Sequence, residues 1–199
     1  MQIIIPMSGL GERFIRSGYK IPKSLIFVED KPIIAHVIDM FSEHDDFIFI
    51  CNKEHLSLTN MREIIYKYCP NGTIFAIDGH KKGPVYSIRK AYDLIKSDQP
   101  VIVNYCDFTC YWNYKNFLDT INDNESAGCI PAYKGFHPHS LKGNNYAFIK
   151  ENDNQLLKIQ EKKSFTNNKM NEFASSGTYY FRRGSLLKYY FDQLLIKNL

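Results

Sequence analysis

Four residues near the start of the chain have types and spacing suited to chemistry: glycines at 9 and 11, an arginine at 13 and a lysine at 23. Ser8-Gly9-Leu10-Gly11 lets the backbone turn through conformations that side chains obstruct, so successive N–H groups can aim at one anion. Arg13 adds a rigid guanidinium fork. Lys23, on a segment stiffened by Ile21-Pro22, adds a point charge. Amides and cations gathered in so short a stretch are equipment for a polyphosphate.

Two familiar glycine loops do not fit. A P-loop needs Gly-Lys-Ser/Thr four residues after its first glycine, and no such stretch occurs. A dinucleotide fingerprint needs a third small residue after Gly9-x-Gly11, where Phe14 stands and its ring would keep helix and strand apart. The acid expected after the second strand is also missing, since Phe47-Ile48-Phe49-Ile50 runs into Cys51-Asn52.

These residues carry a resemblance. Gly9-x-Gly11-x-Arg13-Phe14 followed by Pro22-Lys23-x-Leu25 resembles the signature of the nucleotidyltransferases that join a nucleoside triphosphate to a phosphorylated small molecule. The likeness runs from Met1 to about Arg183. Residues 3–14, IIIPMSGLGERF, are most similar to the cytidylyltransferases of bacterial capsule synthesis. The resemblance implies Mg2+-dependent transfer of a cytidylyl group from CTP to a small phosphorylated acceptor. L-glutamine phosphate is the implied acceptor, with a sugar 1-phosphate or phosphocholine as alternatives.

The resemblance also assigns roles residue by residue. Met7, Ser8, Gly9, Leu10, Gly11 and Arg13 fall to the triphosphate, Lys23 to charge at the α-phosphate, and Asp107 to nucleotide and Mg2+. Asp78 and Gly79 correspond to groups at the nucleobase edge. Gly83-Pro84-Val85-Tyr86-Ser87 corresponds to the segment that closes over the nucleoside. Glu161-Lys162 matches a pair in which the lysine holds the acceptor phosphate. Ser175, Ser176 and Gly177 match a small-residue strand lining the acceptor pocket. Arg13, Lys23 and Lys162 are thus the catalytic candidates. Tyr146 stands near where sugar-binding relatives often carry glycine, which leaves room for a smaller, non-sugar acceptor; His137, His139, Lys142 and Asn144 are loop candidates for holding it.

Composition bounds the partners. The 199 residues with 44% apolar content suffice for a packed core, and a net charge of +4 without blocks of Lys and Arg argues against nucleic acid as the main partner. No apolar run reaches membrane-spanning length and the start lacks a basic, then apolar, leader, so a cytoplasmic location is expected. Cys51, Cys69, Cys106, Cys110 and Cys129 contain no Cys-x-x-Cys pair and are expected as free thiols. A zinc site from Cys106, Cys110, His137 and His139 matches no standard spacing.

The elements that must position these groups follow from periodicity. Ile3-Ile4-Ile5 reads as a strand covered on both faces, with Pro6 ending its ladder. Strands at 47–50, 73–77, 101–105 and 127–132 alternate with helices after Pro32, after an Asn60 cap, over Val85–Ile95, and around Phe117 and Ile121. This repeated pattern predicts an α/β fold with a doubly wound, mostly parallel, Rossmann-like sheet. The first strand and the one ending at Tyr105 are expected side by side where the winding reverses, which brings Asp107 beside the loop at Gly9. Beyond Ala132 an antiparallel extension of the same sheet is expected: a hairpin about Asn152-Asp153-Asn154 and a strand from Phe173 to Phe181. One domain results, with residues 1–132 for the nucleotide and 133–199 for the acceptor. Its last helix carries an apolar stripe, Leu187, Tyr190, Phe191, Leu194 and Leu195, with no element after it to cover it. The expectation is a shortened chain or a homodimer.

Overall fold

The computed structural model describes residues 1–123, 125–136 and 146–197. Its strands are β1 (Gln2–Met7), β2 (Phe27–Val28), β3 (Lys31–Pro32), β4 (Asp46–Asn52), β5 (Thr73–Ile77), β6 (Val101–Asn104), β7 (Gly128–Cys129), β8 (Ala132–Tyr133), β9 (Ala147–Asn152), β10 (Gln155–Glu161), β11 (Phe173–Ser175) and β12 (Thr178–Phe181). The helices are α1 (Glu12–Arg16), α2 (Ile33–Ile38), α3 (Lys53–Leu58), α4 (Met61–Tyr68), α5 (Gly83–Lys90), α6 (Tyr114–Asp123) and α7 (Gly184–Ile196). A six-stranded sheet has the order β5-β4-β1-β6-β12-β7, a four-stranded sheet the order β10-β9-β11-β8, and β2 pairs with β3.

The run Ile3-Ile4-Ile5 explains the first sheet. All three are fully buried, and the two-residue period of a strand sends them to opposite faces. Ile3, Ile5 and Met7 pack with Phe47, Phe49 and Cys51 of β4, Ile34 and Val37 of α2, and Met61 and Ile65 of α4. On the other face Ile4 joins Ile48, Ile50, Val101, Val103, Ile88 of α5, and Leu187 and Phe191 of α7. Each such isoleucine contributes about 1.5–3 kcal/mol by leaving water. β1 runs parallel to β4 and β6, and β4 parallel to β5. The doubly wound α/β sheet expected from the sequence is present.

The winding sets the site. From β1 the chain builds outward through β4 to β5, then returns to lay β6 along the other side of β1, with Gln2↔Val101, Ile3↔Ile102 and Ile4↔Val103 in register. At such a reversal the two connections lead away from each other and leave a crevice beyond the strands' carboxyl ends. Pro6 does not end the ladder, since it lies opposite Ile50 and Met7 lies opposite Cys51. The lost donor is tolerated there because pairing with β6 stops at Ile4, so Pro6 sits where β1 is open on one side.

The later half departs from expectation. Strands β8 to β11 make their own sheet instead of extending the first. The runs 127–132 and 173–181, each expected as one strand, both break in two. β7 and β12 pair in the first sheet through Tyr180↔Cys129, and β8 and β11 in the second through Ser175↔Ala132. Gly177, at φ 78, makes the turn between β11 and β12, where a Cβ would be strained. Two compact units result, Met1–Cys129 with Tyr179–Leu199, and Ile130–Thr178. The expected hairpin is present between β9 and β10, with Asp153 and Asn154 at φ 48 and 62 as a tight turn of mirrored hand requires.

Two helix readings are also corrected. Asn60 makes no side-chain cap on α4, whereas Asn52 caps the unforeseen α3 by accepting the Glu54 N–H at 2.9 Å. The stripe on α7 is partly covered, because Leu187 and Phe191 are buried in the core shared with α5 and Phe181. Tyr190 and Leu194 remain exposed.

Candidate active site

Beyond β1 the chain enters the glycine loop. Gly11 stands at φ 66 and ends in α1, whose first turn it precedes; a Cβ at Gly9 or Gly11 would meet nothing within 4 Å. Gly11 is therefore required by conformation, while at Gly9 the structure leaves open space that another residue would fill. Arg13, on α1, is exposed and has no carboxylate partner among the described residues.

Lys23 and Asp107 come together. Lys23 opens a short 3-10 turn after Pro22, Asp107 follows β6, and Lys23 Nζ lies 2.7 Å from Asp107 Oδ2 with both side chains about one-third exposed. Burial pulls the Lys23 ammonium down, but Cys106 and Asp107 outweigh it against opposition from Arg13, and the net shift is upward. Burial pushes the Cys106 thiol up to about 11. Cys106 is therefore neutral near pH 7, where Asp107 is the charge that Lys23 meets and the lysine is fully protonated.

The nucleobase candidates follow β5. Asp78 is exposed and pairs with Lys53 at 3.1 Å. Gly79 is closely packed: a Cβ there would stand 2.6 Å from Asn52 Nδ2 and 2.7 Å from Leu10 Cδ2. Gly83, at φ 79, begins α5 with Pro84 in the first turn, where its missing N–H costs nothing. Ser87, one turn on, is buried and bonds Ser8 through their hydroxyls at 2.8 Å.

The acceptor candidates lie in the second unit. β9 runs between β10 and β11, with Glu161 opposite Ala147 and Ala174 opposite Phe148, so Glu161 and Ser175 reach the same end of that sheet. Lys162 Nζ is 2.9 Å from Glu161, and both side chains are exposed. The Lys162 backbone sits at φ 56, held by its N–H donating to Tyr146 O at 2.9 Å. Ser175 and Ser176 are buried, and Ser176 Oγ has no hydrogen-bond partner among the described residues. Tyr146 packs edge-on to Tyr133. His137, His139, Lys142 and Asn144 lie outside the described residues.

Residues 3–194 match the family model described as nucleotidyl transferase. The chain belongs to the nucleotidyl transferase family. Its fold is similar to that of a nucleoside-diphosphate-sugar pyrophosphorylase from Vibrio cholerae RC9, at 18% identity and a TM-score of 0.71 over 98% of this chain and 78% of that one. It is similar to a UDP-glucose pyrophosphorylase complexed with UDP-glucose, at 17% identity and a TM-score of 0.69 over 91% and 75%. A third similar structure is HddC from Yersinia pseudotuberculosis, at 20% identity and a TM-score of 0.66 over 95% and 79%. No curated protein matches the chain significantly in sequence. Among the described residues no helix is long and apolar enough to cross a membrane.

One residue of this nucleotidyl transferase escaped the sequence reading. His80 lies between Gly79 and Lys81, and its Nε2 is 2.9 Å from Ser87 Oγ and 3.3 Å from Ser8 Oγ. Ser8 and Ser87 were both candidates, and buried hydroxyls call for partners. That requirement was the available signal, though it does not say which residue supplies the partner.

Proposed function

We propose that this nucleotidyl transferase is a Mg2+-dependent cytidylyltransferase that joins CTP to a small phosphorylated acceptor, L-glutamine phosphate, giving CDP-L-glutamine and pyrophosphate for capsule modification. The observation that supports it most is the Lys23–Asp107 pair at 2.7 Å, delivered by loops after Pro22 and β6 beside the glycine loop's strand. In the proposed reaction an oxygen of the acceptor's phosphate attacks the α-phosphorus of CTP. The bond from that phosphorus to the bridging oxygen breaks, and pyrophosphate leaves with its electron pair. A phosphoramidate or phosphate dianion is already nucleophilic, so no general base is invoked and catalysis rests on positioning and charge.

The residues divide the work. Amides from Met7 through Gly11 and the guanidinium of Arg13 receive the outer phosphates. Lys23 steadies charge gathering at the α-phosphate. Asp78, Gly79, Gly83, Pro84 and Ser87 frame the base and ribose. Lys162 with Glu161, and the backbone of Ser175, Ser176 and Gly177, orient the acceptor. Asp107 is the residue for Mg2+: its Oδ1 makes no hydrogen bond or ion pair among the described residues, and no cluster of three acidic, His or Cys side chains stands there. A single carboxylate suits Mg2+, which keeps most of its waters and takes phosphate oxygens, and which when bound neutralises phosphate charge.

A second reading, a sugar-1-phosphate nucleotidyltransferase, is favoured by the likeness to the UDP-glucose pyrophosphorylase complexed with UDP-glucose. A pyrophosphate-release matrix of CTP, UTP, dTTP and ATP against glutamine phosphate, phosphocholine and glucose 1-phosphate separates them. The expected fastest pair is CTP with glutamine phosphate. UTP with glucose 1-phosphate turning over faster would install the sugar reading, and nucleotide binding without any turnover would reduce the protein to a binding module.

A further inference from the structure

We propose that His80 is a positioning residue that locks the glycine loop to the segment opening α5, so that the triphosphate and base portions of one nucleotide meet prearranged partners. The inference rests on the nucleotide-binding half of the reading above. Both nitrogens of the His80 ring have partners. Nδ1 accepts the Lys82 N–H at 3.1 Å, which leaves the proton of the neutral imidazole on Nε2. Nε2–H then donates toward Ser87 Oγ at 2.9 Å, with Ser8 Oγ at 3.3 Å. The two hydroxyls bond each other at 2.8 Å and are almost fully buried. The His80 backbone also pairs with Gly9 as a lone parallel bridge. One residue is thus bonded to the glycine loop by its main chain, and to Ser8, Ser87 and the α5 turn by its ring.

This connection is more than a packed core histidine would show. Ser8 precedes the glycine whose Cβ side is open, and Lys82 precedes the positive-φ Gly83. Both partners therefore sit next to exposed glycines, Gly9 and Gly83, of the two segments assigned to the nucleotide, and the ring fixes one relative to the other. Prearrangement of this kind lowers the ordering cost of binding, so its loss shows as weaker nucleotide affinity.

Protonation opposes the lock. A proton on Nδ1 would face the Lys82 N–H, donor against donor. The charged groups around the ring are Lys82 on its own turn, Lys81 paired with Glu12 of α1, and Lys90 of α5, which with Lys82 lies over the Tyr86 ring that His80 meets edge-on. Burial first, then Lys82, holds the imidazole below its ordinary range. The lock is therefore complete near neutral pH and opens as pH falls through that lowered value.

Side-chain mimicry separates the two bonds. Gln places an amide N–H near the position of Nε2 and lacks a titrating ring, whereas Asn places a carbonyl near Nδ1 and does not reach the serines. The test is calorimetry with Mg-CTP and Mg-UTP on the full chain in a pH series from 7.5 downward through the titration of His80, followed by the NMR shift of its ring, using H80A, H80Q and H80N, each checked for an unaltered melting transition. At pH 7.5 H80A and H80N are expected to bind the better nucleotide about tenfold more weakly and H80Q within threefold of wild type. Wild type should lose more affinity than H80Q below that titration, H80Q correcting for protonation of the triphosphate. H80A at wild-type affinity, or an H80Q that loses as much affinity in acid as wild type, would overturn the proposal. A variant with a lowered melting transition is titrated below the onset of its melting, beside wild type at the same temperature, where the same tenfold loss is expected and wild-type affinity would overturn the proposal. Nucleotide binding without pyrophosphate release would defeat the transferase and leave this result standing.

Discussion

Two of the molecule's lysine–carboxylate pairs, close in length, stand in very different settings. Lys23 and Asp107 are 2.7 Å apart, 84 positions apart in sequence, and about one-third exposed. Lys162 and Glu161 are 2.9 Å apart, adjacent in sequence, and 63% and 72% exposed. Neighbours in water meet without help from the fold, and such pairs contribute about 0–1 kcal/mol. The first pair exists only because β1 and β6 lie side by side. A charge fixed by tertiary structure is in place before any ligand arrives, whereas the exposed Lys162 side chain is left to solvent.

Substitution separates the two pairs. Lys23→Ala is expected to lower kcat/KM by roughly 10² to 10³, the cost of losing one preorganised electrostatic group, and a variant within threefold of wild type would remove the distinction. Next in size is Gly79→Ala. Its Cβ would intrude on Asn52 and Leu10, and overpacking of this kind costs about 1–3 kcal/mol, read as a lowered denaturant midpoint. Lys162→Ala should raise the acceptor KM about tenfold and leave the nucleotide KM unchanged, consistent with a group that acts only once the acceptor is bound. The smallest effect is on stability: Glu161→Gln should shift the unfolding free energy by less than about 0.5 kcal/mol, since its pair is solvent-exposed. An equal loss of stability from Glu161→Gln and Asp107→Asn would show that exposure does not set the two pairs apart.

Much of the first unit was legible because its signals are local. Three successive isoleucines can only be satisfied between two layers, and the glycine loop, Pro22-Lys23 and Asp107 occupy the ends of elements whose periods are clear. The breaks at Ile130-Pro131 and Ser176-Gly177 were not legible. Pro131 and Gly177 are breakers in otherwise apolar and small-residue runs, but nothing in the pattern says that the two halves of each run feed different sheets. Helix α3 was hidden because Asn52 was weighed only as the place where an acid is missing after the strand, while its side chain caps the next element. The cover on α7 depends on α5, nearly a hundred residues earlier, and His80 depends on Ser8 and Ser87; a single sequence does not reveal who meets whom across such spans.

Gly177 and its neighbours carry a consequence for the order of assembly. Because β12 and α7 follow Ile130–Thr178 in the chain, the first unit is interrupted, and Leu187 and Phe191 reach the face of Ile4, Ile48 and Val103 only after the intervening sheet has been traversed. During synthesis β1, β4, β5 and β6 emerge early with that face covered by α5 but without the Leu187 and Phe191 of α7. Closing it is a contact of high sequence separation, which slows folding and prolongs exposure of apolar surface. An intervening segment that pairs its own strands first shortens the effective loop that must be closed, so the antiparallel sheet speeds the return of β12 and α7.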